Sequence, residues 1–329
     1  MKVNILFEIK ETPLGGGNQF LKLLKKQFIE NGLYAELEES DAVIFNSYQY
    51  LREVVVAKRK YPDKVFIHRI DGPIRLYNHM EDKRDLITNM INRYIADGTV
   101  FQSEWSRKEN YRLGLKESQN ETIIYNCADP NIFYCDKSQK LEKNKKIKII
   151  ATSWSNNKKK GFAVYQYLDD NLDWDKYEMT FVGNSPVEFK NIRHISPLSS
   201  VELAKILNES DIYISASQKD PCSNSLIEAL SCGLPVICYK DGGHPELVKD
   251  AGELFEHQEE IPALLEKVVS QYGKYVNNIE VEKASIIMKQ YYDFICEVNQ
   301  KRNNNEYKFK RLSFIQALYC RAKIKYWSK

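Results

Sequence analysis

The chain has 329 residues, of which 43% are hydrophobic and 28% are charged. This composition is typical of a globular protein and excludes a disordered or membrane-embedded one. The formal net charge of +3 is too small for wholesale nucleic-acid binding, so we expect no nucleic-acid partner. One hydrophobic core seldom organises a chain of this length, and two domains of roughly 150 residues with a cleft between them are expected.

The cysteines and the N-terminus both favour a cytoplasmic protein. The seven cysteines show no Cys-x-x-Cys spacing, and their odd number argues against a closed set of disulfides. Glu8 and Glu11 interrupt the first apolar run before a signal-type segment is complete, so we interpret this run as a strand. No stretch reaches the roughly 18 uncharged apolar residues that a membrane-spanning helix needs. Any membrane contact is therefore expected to be peripheral.

Short apolar runs alternate with longer helical patterns in the first part of the chain, which predicts an α/β fold with a doubly wound parallel sheet. The predicted strands of this part are Val3–Phe7, Val43–Phe45, Val65–Ile67 and Thr122–Tyr125. A lysine-rich stretch without apolar periodicity, from Lys137 to Lys146, marks the expected domain boundary. We therefore place the first domain at residues 1–140.

The same alternation returns after the boundary and predicts a second doubly wound domain over residues 141–281. Its predicted strands are Ile147–Ala151, Met179–Val182, Ile212–Ser215 and Val236–Tyr239. From Glu282 the pattern is helical, and residues 282–329 are expected to pack back toward the first domain. Between Tyr307 and Lys329 this segment carries basic and aromatic residues with no acid. Such a composition is also typical of contact with an anionic membrane, so both interpretations stay open.

A short helix is predicted at Asn224–Cys232, directly after a strand and a loop. Ser223 is a favourable N-cap residue for this helix. The free N–H groups of its first turn form an anion site that suits a diphosphate, and the donor-binding residues predicted there are Ser223, Asn224 and Ser225. Glu228 lies one turn further along the helix, where its carboxylate can reach the hydroxyls of a ribose.

The stretch from Ser215 to Val248 resembles the donor-site signature of family-four retaining glycosyltransferases, also called glycosyl transferases group 1, of the bacterial polysaccharide and lipopolysaccharide biosynthesis type. That signature is Glu-x7-Glu followed by Ala-x-x-x-Gly-x-Pro-Val, and the chain matches it at Glu228, Ala229, Gly233, Pro235 and Val236. The first acid falls on Asp220, which is one methylene shorter than glutamate. By this resemblance Asp220 contacts the transferred sugar near the reacting carbon, and Glu228 binds the ribose.

The resemblance implies the GT-B architecture, with two Rossmann-like doubly wound domains that face a cleft and a helical C-terminal tail. Lys160–Gly161 matches the family element that clamps the donor phosphates, although Ser155 stands where the family has an arginine. Lys160 would then stabilise the leaving diphosphate as a catalytic residue, and Lys158 or Lys159 would supply a second positive charge. No metal and no other cofactor is expected.

Two motifs of the first domain also resemble family elements. A glycine-rich loop at Gly15, Gly16 and Gly17 follows the first strand, and a similar loop in the family borders the cleft opposite the donor diphosphate. The segment His68–Pro73 is similar to the one whose histidine lies beside the transferred sugar, which implies that His68 orients a donor hydroxyl or relays a proton. An ordinary turn and an ordinary structural histidine remain the alternatives.

Together these features predict a retaining, metal-independent glycosyltransferase that uses a nucleotide-sugar, expected to be a UDP- or GDP-sugar, and a glycan or lipid-linked acceptor. We expect it in the cytoplasm, in peripheral contact with the inner face of the membrane. The alternative from another class is a catalytically silent GT-B module that binds a sugar nucleotide, which Asp220 and Ser155 favour. A sugar-nucleotide epimerase lacks a convincing acid and base set, and an oxidoreductase lacks a dinucleotide fingerprint.

Overall fold

The computed structural model describes residues 1–9, 16–136, 141 and 145–327 of the chain. The chain divides into two compact units, each built on its own parallel sheet. The first unit comprises Met1–Glu11, Gly17–Tyr125 and Ala284–Lys329, and the second comprises Thr12–Gly16 and Asn126–Lys283. The prediction of an α/β fold with two parallel sheets is therefore confirmed.

The first unit contains a five-stranded parallel sheet whose strands follow one another in space as they do in the chain. The strands are β1 (Val3–Ile5), β2 (Ala42–Asn46), β3 (Val65–Ile70), β4 (Gly98–Phe101) and β5 (Glu121–Ile123). The helices are α1 (Gly16–Glu30), α2 (Leu51–Lys60), α3 (Ile74–Tyr77), α4 (Arg84–Ile95) and α5 (Glu104–Arg112). Every residue of β2, β3 and β4 is buried, as expected for central strands of a sheet covered by helices.

The second unit contains a six-stranded parallel sheet in the order β11–β10–β9–β6–β7–β8. The strands are β6 (Ile147–Ser153), β7 (Tyr177–Gly183), β8 (Arg193–Ile195), β9 (Ile212–Ser215), β10 (Val236–Tyr239) and β11 (Gly252–Phe255). The helices are α6 (Phe162–Asn171), α7 (Ser200–Glu209), α8 (Asn224–Ser231), α9 (His244–Val248), α10 (Ile261–Ser270) and α11 (Tyr272–Asn277). The strand order reverses at β6, and this reversal is the topological switch point of a doubly wound sheet.

The last two helices, α12 (Ala284–Asn303) and α13 (Phe314–Trp327), belong to the first unit. The side chains that lead into α13 and line its inner face lie in one core cluster with residues of α2 and α4; they are Leu312, Ala317, Cys320 and Ile324. The segment before α13 is also anchored to this unit, because the Lys310 N–H donates to Asp97 Oδ1 at 3.1 Å. Burial of these apolar side chains stabilises the return of the chain to its first unit.

The observed boundary between the units differs from the predicted one. Residues 126–136 belong to the second unit, because Phe133 is buried in the core cluster of that unit and Ile132 packs against it. The predicted boundary at residue 140 is therefore too late. The lysine-rich stretch that suggested it falls largely outside the described residues, which resume at Leu141 and Lys145. The short strands β4, β8 and β11 were not predicted as strands.

Candidate functional site

Three neighbouring strands of the second sheet, β6, β9 and β10, end at the same edge because all strands of this sheet are parallel. Ligands of open α/β sheets bind at this carboxyl edge. A short 3-10 helix at Lys158–Lys160 follows β6, Lys219 and Asp220 follow β9, and Asp241 follows β10. The sheet topology therefore brings charged residues from distant parts of the chain to one place.

The central feature of this edge is an ion pair between Lys160 and Asp220. The Lys160 ammonium lies 3.4 Å from Asp220 Oδ2, and only 18% and 15% of the two side chains are exposed. The 3-10 helix that carries Lys160 begins at Asn157, whose side chain accepts one of its N–H groups at 2.9 Å. Gly161 ends it with a φ of 76°, and a Cβ there would overlap the carbonyl oxygen of Ala216. Only glycine fits this turn, so the position of the cation is set by local structure.

The loops after β9 and β10 hold Asp220 in place. The Lys219 ammonium lies 2.9 Å from Asp241 Oδ1, and the Lys219 N–H donates to Asp241 Oδ2 at 3.1 Å. Lys219 has a φ of 55°, a left-handed conformation that costs a non-glycine residue about 1 kcal/mol. The Asp220 carbonyl oxygen accepts the Gly243 N–H at 2.9 Å, and a Cβ at Gly242 would overlap that oxygen. The contacts of Lys219 with Asp241 thus offset the backbone strain at Lys219 and help to position the Asp220 carboxylate.

A buried histidine adjoins the ion pair. His244 begins α9 and is fully buried, and its Nδ1 lies 2.9 Å from the carbonyl oxygen of Tyr239. Nδ1 therefore carries the proton, which leaves Nε2 as an acceptor that has no hydrogen-bond partner among the described residues. Burial lowers the pKa of His244 and outweighs the opposite effect of the Asp220 carboxylate. The ring is neutral and keeps one unused acceptor.

Helix α8 begins without a side-chain cap. Ser223 occupies the N-cap position, as predicted, but its Oγ lies 3.2 Å from Ser225 Oγ and bonds no helix N–H. Asn126 Nδ2 donates to Asn224 Oδ1 at 3.0 Å and holds that side chain beside the start of the helix. The predicted N-cap position is therefore confirmed, but Ser223 makes no capping hydrogen bond. The first-turn N–H groups of α8 and the positive end of its dipole remain available to an anion.

Glu228 lies one turn further along α8 and is half-buried. Burial raises the pKa of its carboxyl to about 8. Within the described part of the chain its carboxyl has neither a hydrogen-bond donor nor a cation as a partner. A carboxyl that is withdrawn from water without a partner costs free energy, which a ligand with hydroxyl groups can recover. The arrangement of α8 therefore combines an anion site with a carboxyl that is suited to hydroxyls.

All of these second-unit features between Lys160 and His244 lie within residues 136–281, which match the family model for glycosyl transferases group 1. The chain carries a group 1 glycosyltransferase domain. A curated relative is the probable sucrose-phosphate synthase of Thermosipho melanesiensis, with 26% identity over 184 residues. The match covers 50% of this chain and 42% of that relative, so the chain spans less than half of the relative's length.

Among the solved structures that resemble this chain, two cover more than nine-tenths of it. The sucrose-phosphate synthase of Thermosynechococcus elongatus has a TM-score of 0.67 and 11% identity, and the match covers 92% of this chain and 98% of that one. HepE of Anabaena, solved in complex with UDP, has a TM-score of 0.63 and 15% identity, with 93% and 99% covered. At such identities the likeness shows the fold. This fold is GT-B, as predicted from the sequence.

Lys160 and Lys158 were predicted to meet the donor phosphates, and of these two only Lys160 forms the ion pair with Asp220. Lys160 lies beside Asp220, whereas Lys158 is exposed on the same 3-10 helix. Ser155, which replaces the family's arginine, uses its Oγ to accept the Asn157 N–H at 3.1 Å. Ser155 is thus part of the turn that leads to Lys160 and adds no charge.

The glycine-rich loop is described in part. Gly15 lies outside the described residues, and Gly16 begins α1 and groups with the glycosyltransferase domain. A Cβ at Gly16 would overlap the Asn224 side chain, so glycine is required there by close approach to the start of α8. A Cβ at Gly17 would meet no described residue within 4 Å. The structure therefore gives a steric reason for Gly16 and none for Gly17.

The position of His68 favours the structural alternative over the predicted catalytic role. His68 lies inside β3, is fully buried, and stacks on Phe45 of β2 with 4.3 Å between ring centroids. Its Nε2 lies 2.9 Å from the Ser47 carbonyl oxygen, and its Nδ1 lies 3.3 Å from Asn92 Nδ2. Burial lowers its pKa to about 3. His68 is a neutral core residue of the first unit with both ring nitrogens satisfied.

The polar group at the end of β3 is Asp71, which belongs to the segment His68–Pro73 but was not among the predicted site residues. Arg69 Nη1 donates to Asp71 Oδ1 at 2.9 Å and to Asn46 Oδ1 at 2.6 Å, and Gln102 also donates to the Asp71 carboxylate. The Asp71 N–H donates to Ser47 Oγ at 2.8 Å, and 25% of the Asp71 side chain is exposed. An acid directly after a buried strand was the signal for this rigidly held carboxylate.

No group of three or more His, Cys, Asp or Glu side chains that could hold a metal ion is found in residues 1–9, 16–136, 141 and 145–327. In the same ranges, no helix is both long and apolar enough to cross a membrane. Metal independence of the reaction stays a prediction, which chelation of divalent ions tests.

Proposed function

We propose that this chain is a retaining, metal-independent glycosyltransferase that transfers a sugar from a UDP- or GDP-sugar to a hydroxyl of a glycan or lipid-linked acceptor. We place the reaction in surface polysaccharide or lipopolysaccharide synthesis at the inner face of the cytoplasmic membrane. The observation that carries the proposal is the half-buried Glu228 carboxyl, which has no partner among the described residues and lies one turn after the uncapped start of α8. A nucleoside diphosphate supplies both an anion for the helix start and ribose hydroxyls for the carboxyl.

The donor is expected to bind along α8 of the glycosyltransferase domain. Its diphosphate receives hydrogen bonds from the first-turn N–H groups at Ser223, Asn224 and Ser225, and it meets the positive charge of Lys160. Its ribose hydroxyls donate to Glu228, and the transferred sugar lies against Asp220. The UDP bound in the structure of the similar HepE protein supports a uridine nucleotide as the first donor to test.

The proposed reaction exchanges one bond at the anomeric carbon for another on the same face. The bond from this carbon to the diphosphate oxygen breaks, and a bond to the acceptor oxygen forms, so the configuration is retained. The acceptor proton passes to the departing diphosphate, which balances the charge that develops on its oxygens. This front-face course is what the family resemblance implies, and no described residue is needed as a separate base.

The chain's own contribution to the rate is charge stabilisation in a fixed geometry. Charge grows on the diphosphate as it leaves, and preorganised donors that meet this charge lower the barrier. Lys160 is held by the turn that ends at Gly161, and Asp220 is held by Gly242 and Gly243. Little reorganisation is then needed when the sugar begins to move.

A catalytically silent sugar-nucleotide-binding module is the second candidate. The observation that favours it is the contact of Asp220 with Lys160, since an acid engaged by a cation is less available to a sugar. Donor binding to such a module would persist without turnover. Binding and turnover must therefore be measured on the same preparation.

The test is donor hydrolysis and transfer across a panel of UDP-, GDP-, ADP- and CMP-sugars in the presence of EDTA, with Glu228→Ala as the control variant. Proton NMR of the first product reports the anomeric configuration. Turnover in EDTA that the variant lacks, with retained configuration, supports the proposal and names the donor. Tight binding of a donor without turnover in any acceptor mixture overturns the enzymatic assignment in favour of the silent module.

A further inference from the structure

Helix α13 has two faces of different character. Its inner face carries Ala317, Cys320 and Ile324, which are buried in the core cluster shared with α2 and α4. Its other side exposes large apolar side chains, with 78% of Ile315 and 49% of Leu318 accessible to solvent. The remaining exposed large apolar residues of the helix are Phe314, Tyr319 and Tyr326. The helix is thus packed on the first unit and still presents an apolar stripe to the outside.

The helical period explains how both faces arise. With 3.6 residues per turn, Ile315, Leu318, Ala322 and Tyr326 recur on the side opposite Cys320. Helix α13 carries apolar residues on both sides, but only its inner face packs against the first unit. The exposed stripe is a contiguous apolar patch, and such patches mark sites of interaction.

Basic side chains border this stripe. Arg321 and Lys325 are exposed along one margin, and Lys323 lies at the other. The neighbouring elements add cations at both ends, because Arg59 lies over the Phe314 ring at 6.0 Å and Lys83 lies over the Tyr326 ring at 5.4 Å. No aspartate or glutamate occurs between residues 307 and 327. The surface therefore combines apolar contact area with positive charge.

The charge decides between two possible partners. A second copy of the chain that docked through this stripe would bring the same cations face to face, and like charges across an interface disfavour association. An anionic bilayer accepts the apolar side chains at its acyl boundary, the tyrosines at its interface and the cations at its headgroups. Complementarity of charge thus favours the lipid surface.

We propose that the outward face of α13, formed by Phe314, Ile315, Leu318, Tyr319, Ala322 and Tyr326 with their basic margins, is a docking surface for an anionic lipid bilayer. The helix lies in the plane of the interface while its inner face stays packed on the first unit. This docking does not depend on the proposed reaction, because it uses no residue of the glycosyltransferase domain. It would place the chain where lipid-linked acceptors are found.

The experiment is sedimentation of the full chain with vesicles of phosphatidylcholine alone or mixed with phosphatidylglycerol, without any donor. We expect binding to the mixed vesicles that weakens as salt is raised, and little binding to phosphatidylcholine alone. The double variant Ile315→Ser and Leu318→Ser should bind about tenfold or more weakly, since it removes the centre of the stripe. Lys325→Gln should weaken binding roughly fivefold, the effect of about 1 kcal/mol for one cation near an anionic surface.

Val201→Ser is the matched control, because Val201 is 54% exposed on α7 of the other unit and the substitution is of the same kind. It should bind mixed vesicles like the unaltered chain, and circular dichroism and thermal unfolding should show that all variants fold. Equal binding to neutral and anionic vesicles, or unchanged binding by the double variant, overturns the proposal. Absence of vesicle binding together with a dimer in sedimentation velocity that the double variant loses would instead assign the stripe to a second copy.

Discussion

The Lys160 ammonium and the Asp220 carboxylate lie 3.4 Å apart, although 60 residues separate them in the chain. Adjacent parallel strands, β6 and β9, end beside each other and deliver the two charges to one edge of the sheet. In the proposed reaction the two residues act on different parts of the donor: Lys160 meets the diphosphate and Asp220 meets the sugar. Without donor, each charge partly neutralises the other and limits the cost of partial burial.

The first prediction concerns this ion pair. Lys160→Gln and Asp220→Asn are each expected to lower kcat about 100-fold. The first substitution removes the cation that meets the departing diphosphate, and the second removes the carboxylate that meets the sugar. Lys158→Gln is the matched substitution on the same 3-10 helix, and it should have a much smaller effect because Lys158 is exposed. Steady-state kinetics with the active donor measure all three. Equal losses at Lys158 and Lys160 would contradict the assignment of the cation.

The second prediction concerns donor affinity at Glu228. Above pH 8, where the Glu228 carboxyl is ionised, Glu228→Gln should weaken nucleoside-diphosphate binding about tenfold or more, because hydrogen bonds from hydroxyls to a carboxylate are stronger than those to an amide. Isothermal titration of UDP and GDP into the two proteins measures the effect. Unchanged affinity for both nucleotides would place the ribose elsewhere.

The third prediction concerns the contribution of Glu228 to the free energy of unfolding, which should depend on pH. Its folded-state pKa of about 8 lies above its ordinary value of 4.5, so the folded chain binds more protons between these two values. This contribution to the free energy of unfolding is present below about pH 4.5 and is lost as pH rises toward 8. The stability of Glu228→Gln relative to the unaltered protein should therefore increase from pH 5 to pH 8 in urea titrations. A constant difference over that window would show that the carboxyl is not desolvated.

The fourth prediction separates a structural from a catalytic histidine. His68→Ala should lower the free energy of unfolding by about 2–3 kcal/mol, since it leaves buried partners without hydrogen bonds, while kcat of the folded fraction stays the same. The folded-state pKa of about 3 lies below the ordinary 6.5, so the contribution of His68 is present above pH 6.5 and is lost as pH falls toward 3. Urea titrations with parallel kinetics test this. A loss of kcat without a loss of stability would restore the catalytic role.

The fifth prediction tests the close approach of backbone at Gly242. Its φ is 66°, and a Cβ would overlap the Asp220 carbonyl oxygen, so Gly242→Ala should destabilise the protein by about 1–3 kcal/mol and weaken donor binding. Gly273→Ala is the control in the same unit, because a Cβ there would meet nothing within 4 Å. That variant should be neutral or slightly stabilising. Thermal unfolding and nucleotide titration of both variants report the contrast.

Local patterns predicted much of the glycosyltransferase domain. The apolar runs that became β6, β9 and β10 were recognised because central parallel strands are apolar on both faces. The helix α8 was recognised from the residues after β9, and its N-cap position was placed correctly at Ser223. The pattern did not show that the Ser223 hydroxyl bonds Ser225 and not a helix N–H, because a serine hydroxyl can satisfy either group.

Other features needed packing information that no local pattern contains. His68 and Asp71 lie three residues apart, and the pattern could not show that His68 is buried within β3 while Asp71 lies beyond its end. The position of Phe133 in the core of the second unit could not be read from a segment that otherwise looks like a linker. The sequence did not single out His244, because its burial and the lack of a described partner for its Nε2 are properties of the folded chain.

The amino-acid sequence by itself determined the alternation of strands and helices, the two α/β units and the helix start at Ser223, since these follow from short-range periodicity and turn chemistry. It also carried the motif that places residues 136–281 in the group 1 glycosyltransferases. Only the tertiary structure decided that Lys160 rather than Lys158 meets Asp220, that His68 is a core residue and that α13 keeps an exposed apolar face. These outcomes depend on contacts between residues far apart in the chain, and the order of strands in a sheet sets such contacts.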